Sequence, residues 1–292
     1  MMPRILLTGA TGFLGSHLVK ALVKQNYQVI ILKRSTSKLN RLKNVLNNII
    51  SYDVDTIEIS CPFKEQGKID AIIHTATCYG RVNENISEIL AANVILPLKL
   101  LEIATLFNTE IFFNTDTILY KYLNAYVLAK KHFLEWGKLF TKMQKIRFIN
   151  IKLEHIYGPG DNDSKFTTHI IKSCFANVPE LKLTLGEQTR DFIYIDDVVS
   201  AYITLLQQSE YQPEWFQEYE LGSGQSISIR EFVETVHKIT HSHTQLNFGA
   251  LPYREGEIMH SQANITALQQ LGWSGLITLT AGIEKTIQQD YF

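Results

Sequence analysis

Among 292 residues there are three cysteines, Cys61, Cys78 and Cys174, and no Cys-x-x-Cys pair. An odd and scattered set suits neither a disulfide framework nor a zinc site, and fits a reducing compartment. Charge of one sign is just as scarce, since 28 Lys and Arg against 29 Asp and Glu leave a net charge of -1. Such a chain has no field to attract nucleic acid or an anionic membrane. No apolar run is expected to reach the length of a membrane span, so no membrane insertion is expected. Met1, Met2, Pro3 and Arg4 lead straight into a strand pattern, so no signal peptide is expected either. Internal repeats, low-complexity runs and linkers are absent. What is left is the expectation of a soluble cytoplasmic enzyme or binding protein. An apolar fraction of 45% over this length gives one large domain with a smaller appendage.

What the chain does have begins at Ile5-Leu6-Leu7-Thr8, a buried-strand pattern followed at once by Gly9-Ala10-Thr11-Gly12-Phe13-Leu14-Gly15. Apolar residues at helical spacing follow over residues 17–22. Strand, glycine-rich turn and helix form the context in which such a loop binds a nucleotide. Gly9 allows the tight turn, Gly12 the approach of a pyrophosphate and Gly15 the contact of helix with sheet. The free N–H groups of the helix start face the phosphates. An ordinary β–α turn with three glycines is the plainer alternative.

The second strand, expected over residues 27–32, runs into Lys33, Arg34 and Ser35. A carboxylate at this point binds the ribose 2′-hydroxyl of NAD. Here Lys33 holds the position with no acid adjacent, and Arg34 can fork onto a 2′-phosphate with Ser35 or Ser37 adding hydrogen bonds. The reading is NADP(H), against a solvated basic loop. Further strands are expected over residues 49–54, 69–74, 111–113 and 146–153, and a helix over 93–107 with Asn93 as its cap and Pro97 bending it or marking its first turn. The loop Thr75, Ala76, Thr77 lies at a strand's carboxyl end, where ligands sit in such sheets.

Tyr126 and Lys130 stand one helical turn apart and share a face. A nearby cation favours the phenolate, so this Tyr is a candidate proton donor and acceptor near neutral pH. A solvated helix face is the alternative. Beyond residue 163 the strand–helix alternation weakens. Short elements are expected over residues 181–185, 192–195, 197–208, 219–222, 228–239 and 245–248. Arg190 and Arg254 each stand beside acids, as surface ion pairs or as a bidentate grip on a diphosphate.

The Gly-x-x-Gly-x-x-Gly spacing after Thr8, the Tyr126/Lys130 pair, Tyr157-Gly158-Pro159 and Arg190-Asp191-Phe192 together resemble the extended short-chain dehydrogenases/reductases, the NAD-dependent epimerase/dehydratase family. The resemblance covers essentially the whole chain. It implies an α/β fold, a Rossmann-type doubly wound parallel sheet with a smaller C-terminal α/β substrate-binding domain. Residues 1–160 are then the NADP-binding domain, with 192–222 returning to it, and 161–292 mainly the substrate domain. By carry-over Thr115 joins Tyr126 and Lys130 in a catalytic triad, with Thr117 as fallback if the register slips. Asp53 and Val54 flank the adenine, while Thr75, Ala76, Thr77 and Asn93 line the cofactor. Leu153 contacts the nicotinamide and His155, where the family commonly has Asn, faces cofactor and substrate. Tyr79, Arg81, Thr115, Asp116, Thr117, Lys165, Phe166, Arg190 and Arg254 are implied to touch the substrate. A homodimer is implied too.

Finer detail resembles the branch of bacterial reductases that act on CDP-linked 4-keto-3,6-dideoxyglucose in O-antigen pathways. It lies in residues 77–81, 114–116, 152–155 with 157–158, 186–188 with 190–192, 222–224 with Ser228, and 257–259, and leans modestly to the abequose-forming members. Residue chemistry narrows the reaction further. A dehydratase needs a second carboxyl group after Asp116, where Thr117 stands, and a 3,5-epimerising reductase needs a Cys-like proton shuttle near residues 115–117. The expectation is an NADPH-dependent 4-ketoreductase of a CDP-linked 4-keto-dideoxy sugar. An NAD-dependent 4-epimerase and a non-catalytic NADP-binding regulator remain open.

Overall fold

The computed structural model describes residues 2–209 and 213–292. In chain order its elements are β1 (Arg4–Thr8), α1 (Phe13–Lys24), β2 (Gln28–Lys33), β3 (Ile49–Asp53), α2 (Cys61–Gln66), β4 (Ala71–His74), α3 (Ile86–Leu90), α4 (Leu96–Leu106), β5 (Ile111–Thr117), α5 (Ala125–Lys142) and β6 (Arg147–Leu153). There follow β7 (His155–Tyr157), α6 (Phe166–Phe175), β8 (Glu180–Leu183), β9 (Thr189–Tyr194), α7 (Ile195–Gln208), β10 (Phe216–Leu221), β11 (Ser226–Ser228), α8 (Ile229–Ile239), β12 (Gln245–Phe248), α9 (Thr266–Gln270) and α10 (Leu279–Tyr291). They fall into two compact units, Met1–Lys152 with Tyr202–Tyr219, and Leu153–Ala201 with Glu220–Phe292.

The first unit is built on a seven-stranded sheet in the order β10-β6-β5-β4-β1-β2-β3, with β1, β2, β3, β4 and β5 paired in parallel. Its strands are apolar on both faces because helices cover both. Leu6, Ile30, Ile72, Phe112 and Phe148 form one core with Leu100, Leu101 and Phe133 from the helices. Phe112 and Phe148 stack with centroids 5.6 Å apart. α5 lies close on this layer because Gly137 faces Phe148, where a Cβ would sit 2.4 Å from the ring. That contact fixes the depth of the helix carrying Tyr126 and Lys130.

Three local expectations give way here. The helix expected over residues 93–107 starts at Ile86, where Asn85 accepts from the Glu88 N–H (2.9 Å) and the Glu88 carboxylate accepts from the Asn85 N–H (2.8 Å). This capping box is the helix start, so Asn93 is not a cap. Asn93 lies instead in a π-helical turn, Ala91–Ile95, and Pro97 sits in the first turn of α4 beyond it. The run Ile86–Leu106 also overturns the expectation about apolar length, since this helix of 21 residues, with mean hydropathy 1.8 over an 18-residue window, is long and apolar enough to cross a membrane. Ile89, Val94, Leu100, Leu101 and Ala104 of this run are buried in the unit's own core, as a core helix passing the same test would be. β5 is longer than expected, reaching Thr117, because its polar end finds buried partners described below.

In the second unit β9 is central to a three-stranded sheet, parallel to β7 and antiparallel to β11, and β8 pairs in parallel with β12. Phe192 and Phe232 meet at 4.4 Å and Tyr157 and Tyr194 at 5.6 Å, an aromatic core under α8 and α10. The buried Asp191 carboxylate accepts from the N–H groups of Ser223, Gly224 and Ala263, which ties two loops to β9.

Candidate active site

The glycine-rich loop is shaped by contacts that exclude side chains. A Cβ on Gly9 would lie 2.5 Å from the Ala76 nitrogen and one on Gly15 2.1 Å from the Gly9 carbonyl oxygen. Gly9 also has φ +74, which favours glycine. A Cβ on Gly12 would meet only the Gly9 carbonyl oxygen, at 3.1 Å, so the exposed side of the loop is open. Gly12 begins α1 without a side-chain cap, and the first N–H groups of the helix have no cap to satisfy them. An anionic diphosphate fits this cradle. Thr11 and Phe13 are half-buried beside it and Leu14 is buried beneath. The Thr75 hydroxyl donates to the Thr8 carbonyl (2.8 Å), the Ala76 N–H donates to the Thr8 hydroxyl (3.4 Å), and the Thr77 hydroxyl is buried without a partner among the described residues. The orphaned hydroxyl lies two residues from the Gly9 contact, so this loop too has polar capacity for a dinucleotide.

At the end of β2 the acid missing from the sequence neighbourhood arrives from elsewhere. Asp53 pairs with the Lys33 ammonium, and Asp55 accepts from the Ser35 N–H (2.7 Å) and hydroxyl (2.6 Å). The Val54 N–H donates to the Lys33 carbonyl (2.8 Å). Parallel pairing of β2 with β3 sets Lys33 opposite Asp53, twenty residues on, which a linear reading does not see. Lys33 is therefore neutralised, and Arg34 is the exposed cation. A second guanidinium, Arg41, approaches the loop and donates to the Thr11 carbonyl (3.4 Å).

The end of β5 meets α5 in a cluster of buried polar groups. Lys130 Nζ donates to the Thr115 carbonyl (2.9 Å), and Lys131 Nζ donates to the Thr117 carbonyl (2.6 Å) and to Asp116 Oδ2 (2.8 Å). Asn150 Nδ2 donates to Asp116 (3.1 Å) and Glu218 (2.9 Å), while Asn114 Nδ2 donates to Asn150 Oδ1 (2.8 Å). The Asp116 side chain is fully buried in this network, so the carboxylate expected to face substrate faces the interior. The Thr115 hydroxyl is 2.6 Å from the Tyr202 hydroxyl, while the Thr117 side chain lies near enough to the Tyr126 phenol to oppose the rise of its pKa. Thr117, the fallback for the triad hydroxyl, is thus the one placed towards Tyr126. β5 continues straight through residues 115–117, which leaves Thr115 beside Tyr202.

The electrostatics differ from the sequence expectation too. Burial pushes the Tyr126 phenol well above its ordinary range, and Tyr79 and Asp116 push it the same way. Thr117 and Arg81 pull it down. Burial also lowers Lys130 to about 8, with Asp116 opposing and Lys131 assisting. The Tyr79 ring is tilted against Tyr126 with centroids 4.9 Å apart, and Arg81 lies 5.0 Å over the Tyr79 ring. The loop holding both is pinned by Asn93, which accepts from the Cys78 N–H (2.8 Å) and donates to the Cys78 carbonyl (2.8 Å).

The remaining candidates lie in the second unit. Leu153 is half-buried, and His155 Nδ1 is 2.8 Å from the buried Glu154 carboxylate, which also accepts from the Ser261 hydroxyl. Arg190 is paired with Glu257 and donates to the Thr189 carbonyl (2.8 Å), so it is not a free cation. Arg254 is exposed, Lys165 precedes α6 as its cap residue and Phe166 packs 5.9 Å from Phe232. Sequence reasoning missed Lys131, Asn150, Tyr202, Arg41 and Glu154. Only Lys131 and Glu154 carried a signal, each being a charged neighbour of a candidate residue.

Over residues 5–222 the sequence matches the NAD dependent epimerase/dehydratase family. It is similar to the CDP-abequose synthase of Salmonella muenchen, 38% identical over 292 residues that cover 97% of each chain. It is likewise similar to the CDP-abequose synthase of Salmonella typhimurium, 37% identical with 98% of this chain and 97% of the relative covered. In fold it is similar to the UDP-glucose 4-epimerase of Thermotoga maritima solved with UDP-glucose, at a TM-score of 0.86, 98% coverage of both chains and 21% identity.

Proposed function

The chain belongs to the NAD dependent epimerase/dehydratase family, and from that premise we propose that it is an NADPH-dependent nucleotide-sugar 4-ketoreductase. Its substrate is CDP-4-dehydro-3,6-dideoxy-D-glucose and its product a CDP-3,6-dideoxyhexose for O-antigen and lipopolysaccharide synthesis. CDP-abequose is favoured over CDP-paratose by the near-full-length similarity to two CDP-abequose synthases. One observation carries the reaction type. Tyr126 is held protonated by burial, by Tyr79 and by Asp116, which is the state a proton donor needs before a ketone becomes an alcohol.

When bound, NADPH supplies the hydride that reaches C4. Tyr126 gives its proton to the oxygen at C4 as negative charge develops there. The Thr117 hydroxyl, against the phenol, hydrogen-bonds the same oxygen. Lys130, protonated below about pH 8, holds the nicotinamide ribose and keeps a positive charge beside the reaction. The loop of Gly9, Gly12 and Gly15 with Thr75, Ala76 and Thr77 would hold the dinucleotide, and Arg34 would take the 2′-phosphate, beside a Ser35 already bonded to Asp55. In the first unit Tyr79 and Arg81 are the proposed substrate contacts, and in the second His155 and the exposed Arg254.

A second reading, an NAD-dependent 4-epimerase, is favoured by one observation, the two carboxylates Asp53 and Asp55 at the end of β2. The same test separates them. Incubation with CDP-4-keto-3,6-dideoxyglucose and NADPH, with the product identified by NMR, yields a CDP-3,6-dideoxyhexose and consumes the reductant. Tyr126→Phe abolishes turnover while NADPH still binds, and substantial activity in that variant would overturn the mechanism. A protein that purifies with NAD bound and needs no added reductant supports the epimerase instead. The protein is cytoplasmic and a homodimer in this reading. Leu90, Ile95, Trp136, Leu139 and Met143 expose an apolar face on α3, its π turn and α5 for the partner copy, and a monomer by light scattering would remove the dimer.

A further inference from the structure

Two adjacent lysines reach from α5 to the end of β5 and do different things there. Lys130 Nζ holds the Thr115 carbonyl and Lys131 Nζ holds the Thr117 carbonyl, so each fixes one residue of the strand end. Lys131 also carries the ion pair with Asp116, whose side chain is wholly buried while that of Lys131 is nearly so. The Asp116 carboxylate accepts in addition from the Thr117 N–H (2.7 Å) and from Asn150. Asn150 passes the network to Glu218, which pairs with Lys152 at 2.5 Å. Lys131, Asn150, Glu218 and Lys152 have no part in the proposed proton donor, its hydroxyl or the dinucleotide loop. Buried charges of this kind are stable only when paired, and breaking one partner leaves a costly unpaired charge.

We infer that Lys131, with Asp116, is a positioning pair: it clamps residues 116 and 117 so that Thr117 meets Tyr126, and it sets the charge balance around Lys130. The inference rests on the proposed ketoreductase reading for its kinetic consequence, but its electrostatic part is a property of the free protein. Four groups face or flank Lys130. Asp116 acts from β5 and Lys131 from α5, while His74 on β4 is buried and neutral, with its pKa driven well below the usual range by burial and by Lys130. Tyr126, one turn away on α5, stays neutral because it is buried. The balance at Lys130 is therefore set by one anion and one cation, which are bonded to each other. Removing either must move Lys130 in a defined direction, and the two directions are opposite.

The test is a titration of the Lys130 Cε signal in free protein carrying 13C-labelled lysine, assigned by its loss in Lys130→Met. Asp116→Asn moves the midpoint down from about 8 and Lys131→Met moves it up, each by about one pH unit. Lys131→Arg, which keeps the charge, restores the original midpoint. A merely structural pair would disturb both variants in the same direction or leave the midpoint unmoved, and either result overturns the inference. Should Lys131→Met not fold, Asp116→Asn alone decides, since loss of packing does not lower the midpoint. The alkaline limb of turnover with CDP-4-keto-3,6-dideoxyglucose follows the same order. Opposite shifts in the titration without any turnover leave the positioning pair standing and sink the ketoreductase reading. Turnover without the opposite shifts does the reverse.

Discussion

Lys130→Met should make the protein more stable, and the gain should vanish at alkaline pH. Burial brings Lys130 from 10.5 to about 8, a difference of 2.5 pH units. At about 1.4 kcal/mol per pH unit, the charged form costs the fold about 3 kcal/mol. The unfolded chain holds this proton up to pH 10.5 and the folded one releases it near 8. Below pH 8 both states carry the proton and the cost is present in full. Between 8 and 10.5 the unfolded state binds more protons, so wild-type stability rises with pH, and above 10.5 the cost is gone. The variant also loses the 2.9 Å bond to the Thr115 carbonyl, a loss of about 1 kcal/mol. The net gain is about 2 kcal/mol at pH 7, or roughly 4 °C in Tm for a chain of this size. Thermal unfolding of the cofactor-free proteins, followed by circular dichroism from pH 6 to 10.5, reads this directly. A gap that is absent at pH 7, or the same at every pH, refutes the buried charge. Activity should be lost throughout, because the charge that destabilises the fold is the one the chemistry uses.

Thr117→Val should lower kcat about 100-fold and Thr115→Val less than tenfold, because Thr117 is the hydroxyl that acts on the phenol and Thr115 bonds Tyr202. The opposite order in steady-state kinetics would restore Thr115 to the triad. Arg34→Ala should weaken NADPH at least about tenfold in calorimetric titration and leave NADH unchanged, as expected of a lost charge-assisted contact. Equal losses for both cofactors would end the 2′-phosphate reading. Gly137→Ala should destabilise by about 1–2 kcal/mol, since its Cβ would lie 2.4 Å from the Phe148 ring and overpacking outweighs the better helix propensity. A Tm higher than that of the parent would show that α5 can lift from the sheet without loss.

The glycine loop and the first strands were legible because their signals are local: Thr8, Gly9, Gly12 and Gly15 lie within eight residues, and apolar strands buried on both faces need no partner to be recognised. The whole α/β class followed from them. What escaped was pairing. Lys33 reads as a free cation until parallel strands bring Asp53 beside it, and Arg190 reads as a clamp until Glu257, 67 residues on, closes over it. Asn93 reads as a cap because a polar residue before an apolar run looks the same whether its side chain turns to its own helix or to the Cys78 backbone. Burial also reverses the sign of an argument from neighbours. A Lys one turn from a Tyr promises an easier phenolate in water, but the fold buries both, so the phenol holds its proton more tightly and the ammonium more loosely. The phenol is therefore the resting form at neutral pH, the form from which a proton can pass to the nascent alkoxide of the proposed reduction.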